Sequence, residues 1–177
     1  MSSLSQSIPV DPLVRAAGGF AIISGIISAV GVVLLITMFI LFATPYKEQG
    51  EMVGLLNDIC VAIQYLLTIP IALALYRILA PHNPTLVRIV TYAGIAAMLA
   101  TILLQLALIF GILTFQQQGV WVSLAMLIGV GTWLVVTGLV ARSMGILPHS
   151  LLMSAVAVPY LGYPVWAFWL GWHLLGL

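Results

Sequence analysis

AAGGFAIISGIISAVGVVLLITMFILFA, residues 16–43, holds no charged side chain and no proline. At about 1.5 Å of rise per residue, a helix of this length exceeds the roughly 30 Å hydrocarbon core of a bilayer. It is also far longer than the roughly 7–15 apolar residues of a secretory signal, and no Ala-x-Ala cleavage site follows it. The segment therefore predicts a transmembrane helix that stays in the mature protein. Just ahead of it, Asp11 and Pro12 read as an N-cap and first helical position.

The rest of the chain agrees. Of 177 residues, 63% are hydrophobic and 5% charged, five Lys or Arg against four Asp or Glu. A soluble domain carries about 25% charged residues, so the bilayer is the expected solvent. A net charge of +1 excludes a nucleic-acid footprint, which needs clustered Lys and Arg. The single cysteine, Cys60, excludes a disulfide framework, a Cys-rich zinc site and an iron–sulfur cluster. No metal site is expected from four acids. Nor does the chain carry a Gly-x-Ser-x-Gly elbow, a His-Glu-x-x-His helix, an aspartyl dyad or a phosphate loop.

Reading outward from residues 16–43, apolar runs predict an all-α integral membrane bundle of five transmembrane helices. The spans are roughly 12–43, 52–79, 86–115, 120–141 and 149–177, one domain over 12–177 behind a polar tail at 1–11. The connectors are a charged loop at 44–51, a Pro81/Asn83-Pro84 break, a bare polar turn at Gln116–Gln118, and 142–148. Connectors this short make consecutive helices antiparallel neighbours. Arg15, Arg77, Arg88 and Arg142 then fall on one face and Lys47 on the other. The positive-inside rule predicts an N-terminus inside and a C-terminus outside, in a plasma or cell inner membrane.

Helices in lipid associate through close backbone approach and buried polar contacts. Ala17, Ala21, Gly25 and Ala29 form one small-residue ridge, and Ala93, Ala97, Thr101 and Gln105 another. Either seam serves intramolecular packing or a partner subunit. Pro70, Pro159 and Pro164 should kink their helices.

Ionisable and amide side chains at depth point to function. Measured from the arginine face, Asp58 lies about 28 Å along its helix, Gln64 about 20 Å and Gln105 about 25 Å. With Tyr163 they form a candidate ligand site in the outer half. The plainer explanation is a hydrogen-bonded clasp between the second and third spans, and Cys60 reads as a small packing residue. His82 and His149 fall in connectors. His173, among Trp166, Trp169 and Trp172, is the one candidate tetrapyrrole or haem ligand, although aromatic residues gather at membrane interfaces in any case. No cofactor is otherwise expected.

Two further stretches carry a resemblance. ALYRILAPHN (residues 74–83), in a helix opened by Asp58, and GTWLVVTGLVARSMGILP (131–148), together with RAAG (15–18), resemble an uncharacterised family of small bacterial multi-span membrane proteins, domain of unknown function 4386. The resemblance implies a helical membrane bundle, a sixth helix in typical members, and Asp58, Arg77, Trp133, Arg142 and Pro148 as family positions. It implies no reaction and no ligand. The expectation from the chain as a whole is a non-enzymatic accessory subunit of a larger membrane complex, respiratory or photosynthetic in type, with lipid and other membrane subunits as partners. The alternatives are a small-molecule or proton-coupled carrier and a tetrapyrrole-binding subunit.

Overall fold

The computed structural model describes residues 11–145 and 159–176. The polar tail, His149, Pro148 and the first part of the expected fifth span lie outside them. Among the described residues the chain is all-helical: α1 (Pro12–Phe42), α2 (Lys47–Leu79), α3 (Pro84–Ile109), α4 (Phe115–Leu124), a π-helical turn (Ala125–Val130), α5 (Gly131–Ser143) and α6 (Pro159–Leu175). The α4–π–α5 run is continuous, so four helices are long and apolar enough to cross a membrane.

Local chemistry sets the helix ends. The Asp11 carboxylate accepts the Leu13 amide, with Pro12 at the first helical position, where its missing N–H costs nothing. Asn83 and Pro84 repeat the device at α3. After α3, Gly111 takes a positive φ of 69°, and the Ile112 amide reaches back to the Ala107 carbonyl at 2.8 Å, a glycine-terminated helix end.

Two expected connectors differ from the sequence reading: the first is shorter, and the second is displaced to residues 110–114. α2 starts at Lys47, so Glu48 and Glu51 are helical rather than part of a loop. Gln116–Gln118 is no turn, because α4 starts at Phe115. The Thr114 hydroxyl accepts the Gln117 amide while the Gln117 side chain accepts the Thr114 amide, a capping box that starts the helix five residues before the expected span.

The helices zip in antiparallel order. Arg77 meets Asp11, and Ser143 meets His82 at 3.3 Å, so the arginine-bearing ends of α1, α2, α3 and α5 gather at one end of the bundle. The last helix differs from expectation. Gly171 packs on Gly18, where a Cβ on Gly18 would stand 3.2 Å from the Gly171 carbonyl oxygen, and Leu175 lies against the same glycine. Pro164 and Phe168 abut Gly25 in the same way. α6 is therefore antiparallel to α1, and its C-terminal end reaches the arginine end, where α1 begins. The described part of the expected fifth span, Pro159–Leu175, runs toward the arginine end rather than away from it. Followed along this register, Pro159 stands level with roughly Gly31, several turns short of the end of α1.

That arrangement uses up the α1 seam. Ala17, Ala21 and Gly25 are buried while Ala29 is only half-buried, and the stripe shifts to Ser28 and Gly31. Four residues turn a helix by about 400°, so a strict four-residue ridge drifts about 40° per step. In α3 the drift leaves Ala93 exposed and Ala97 half-buried, with Gly94, Met98, Thr101 and Gln105 facing inward. Trp133 fills the notch at Gly94 and meets Trp166 edge-to-face at 5.9 Å, tying α3, α5 and α6 into one core.

Candidate functional site

The four residues expected to share a ligand site fall into two groups. The first surrounds Tyr163, which is buried at the α1–α2–α6 junction. Its hydroxyl lies 2.8 Å from Ser24 Oγ and 2.5 Å from Thr68 Oγ1. Thr68 also donates to the Gln64 carbonyl at 2.7 Å, the bond a helical threonine makes one turn back. Gln64 enters this group through its backbone carbonyl, which accepts from Ser24 as well. All three hydroxyls are engaged, so the cluster closes a junction between helices.

The second group lies about three turns along α2 from Thr68, away from the arginine end. Asp58 and Gln105 line one cavity of about 430 Å³ between α1, α2, α3 and α4, joined there by Asn57 and Gln118. Gln118 Nε2 donates to Gln105 Oε1, and the same Gln118 side chain reaches the Asp58 carboxyl. Asn57 and Gln118 are buried, and Asn57 Oδ1 has no hydrogen-bond partner. The remaining walls are apolar, with Phe39 and Phe115 facing Met126 and Leu127. Gln118 was missed as a site residue because three consecutive glutamines look like a solvated turn. The capping box at Thr114 is the signal that makes it the first inward-facing residue of a helix.

α6 fits between α1 and Trp133 of α5 in the arginine half. The π turn forms part of the wall through Met126 and Leu127. Such turns are rare and are frequently found at functional sites. Above the cavity, Phe42 and Phe115 meet edge-to-face at 6.4 Å.

A second cavity, about 780 Å³, shares Met38, Asp58 and Phe115 with the first and extends along α2 to Glu51 and Glu48. Asp58 thus lines both cavities, and the second also carries the two glutamates.

His173 is elsewhere. It is half-buried in the last turn of α6, beside the exposed Trp172. By the α1–α6 register it lies roughly 20 Å along the bundle from Asp58. Among the described residues no group of three or more His, Cys, Asp or Glu side chains is placed to hold a metal ion.

Compared with protein-family models, curated proteins and solved structures, the chain has no significant match in any of the three. What the fold itself defines is a small all-α, multi-span membrane protein.

Proposed function

We propose that this chain is a non-enzymatic, multi-pass membrane protein that binds a small molecule in the cavity around Asp58, with its arginine-bearing end on the cytoplasmic side of a plasma or inner membrane. The observation that carries the reading is the convergence of one carboxylate and three amide side chains on a single cavity at membrane depth. Each is costly to bury in lipid, and the cavity volume lies in the range of ligand sites, about 300–1,000 Å³. The orientation rests on four arginines at one end and only Lys47 at the other. An accessory-subunit role has less support, because the α1 seam that would take a partner helix is filled by α6 of the same chain.

Gly119 offers a clean test. It lines the cavity, and a Cβ built there meets no atom within 4 Å, so Gly119→Trp fills the site without displacing a neighbour. Detergent-purified wild type and Gly119→Trp are heated with a panel of small amines, amides, alcohols and carboxylic acids. At least one class should raise the wild-type Tm by a few degrees and leave the variant unmoved. A wild type indifferent to the whole panel would end the reading.

A further inference from the structure

Building on that reading, we infer that the Asp58 cavity is an organic-cation site: its ligand is a small ammonium ion with an apolar body, admitted past Glu48 and Glu51. The chemistry of the free atoms comes first. Asp58 offers two carboxylate oxygens, and Asn57 Oδ1 is an acceptor with no partner on a residue only 4% exposed. Gln105 Oε1 is already engaged by Gln118 Nε2. What the lining lacks is a basic side chain to pair with the Asp58 carboxylate. An alkylammonium group brings a positive charge and three N–H donors, which meets that lack. A carboxylate or phosphate ligand would set anion beside anion at Asp58.

The charge distribution along the two cavities agrees. Glu48, Glu51 and Asp58 follow one stripe of α2, at intervals of three and then seven residues, which returns to the same side of a helix. Asp58 lines both neighbouring cavities and Glu48 and Glu51 the second, and no Lys, Arg or His is among the described residues lining either. An acidic cleft with low-dielectric walls concentrates cations. A carboxylate facing such walls without a counter-ion is costly to ionise, and an arriving cation offsets that cost.

The walls select among cations. Metal ions such as calcium take about six to eight oxygen ligands, more than this cavity presents around Asp58. Phe39 and Phe115 can instead face a cation or pack on an alkyl chain, and Met38 and Met126 adapt to its shape.

The test uses n-butylammonium, 1-butanol and butyrate as probes on the purified full chain at matched ionic strength. Butylammonium should raise the wild-type Tm with at least tenfold higher apparent affinity than either of the others. Its affinity should fall at least tenfold in Asp58→Asn, and its effect should vanish in Gly119→Trp. Carbodiimide modification of wild type, read by peptide mass spectrometry, avoids dependence on the folding of Asp58→Asn: butylammonium should protect the Asp58 peptide and butanol should not. Equal binding of butanol or butyrate, or Asp58 modified equally with and without butylammonium, overturns the cation assignment while the cavity reading stands. The same shift from sodium chloride alone overturns the organic class in favour of an inorganic ion. No shift with any of these three probes overturns the cation assignment, and the cavity reading is then decided by the wider panel.

Discussion

In the arginine half of the bundle, the Tyr163 hydroxyl sits between Ser24 and Thr68, and Gly171 closes on Gly18 with backbone nearly touching backbone. Some three turns along α2, Asn57 Oδ1 is buried without a partner, and a cavity separates α1 from α4. The two regions share α1 and α2 and similar apolar residues. They differ in what meets those helices: in the first, α6 packs on them and polar groups serve as fasteners; in the second, polar side chains line a cavity with α3 and α4. A buried polar group that fastens helices should cost stability when removed, and one kept for a ligand should not.

The comparison breaks most visibly at Trp133. It is fully buried, seated against Gly94 and edge-on to Trp166, so it joins α3, α5 and α6. Trp133→Ala should cost about 3–5 kcal/mol, the usual range for emptying a large aromatic site, read as a fall in the unfolding midpoint during denaturing-detergent titration. Gly171→Leu should follow at about 1–3 kcal/mol, since its side chain meets Ile22 and the Gly18 carbonyl and overpacks the seam. If Gly171→Leu is neutral, α6 does not lie on α1 as described.

A finer discrimination comes from matched polar substitutions in the two halves. Tyr163→Phe removes only a hydroxyl bonded to two helices, and interhelical hydrogen bonds in membranes average about 0.6 kcal/mol, with a maximum near 1.7. Asn57→Leu removes an acceptor that has nothing to accept, so it should leave the unliganded protein as stable or more stable. Parallel titrations should move the two midpoints in opposite directions, or move only the first. Equal losses would make Asn57 a fastener too, and the distinction between the halves would collapse.

The division between halves was only partly legible in the sequence. Uninterrupted apolar runs placed the four long helices, because hydropathy and length are properties of the run itself. Asp11-Pro12 marked a helix start for the same local reason. The site residues were grouped by depth alone, and depth does not specify a helix face. Asp58 and Gln64 are six residues apart, which turns them about 120° from each other around α2. Gln64 therefore joined the Tyr163 cluster and Asp58 the cavity. Gln118 was hidden by composition, since polar neighbours masked a helix start that depends on one pair of capping bonds. The direction of α6 was not readable at all. An apolar run records what it is soluble in, not which end of the bundle it runs toward; glycine contacts between Gly18 and Gly171 decide that.

The smallest effect expected lies at the arginine end, outside the membrane, and it asks whether that end is held by charge. Arg77 Nη1 donates to Asp11 Oδ2 at 2.7 Å, and Asp11 Oδ1 accepts the Leu13 amide at 2.9 Å. The Arg77 bond first, and the backbone bond second, hold the Asp11 carboxyl below the ordinary carboxylate range. Folded protein thus binds this proton more weakly than the unfolded chain does. The stabilisation is complete above the unfolded carboxylate value, about 3.9, and is lost as pH falls through the lower folded value. Asp11→Asn isolates the charge, because asparagine caps helices about as well as aspartate. The stability difference between wild type and Asp11→Asn should be constant from about pH 7 to about pH 5 and shrink below about pH 4. Both partners are solvent-accessible, at 58% for Arg77 and 35% for Asp11, so water and salt screen the pair, and about 1 M salt should remove most of the difference. A difference that survives both acid and salt would mean that Asp11 does not stabilise the fold through its charge pair with Arg77.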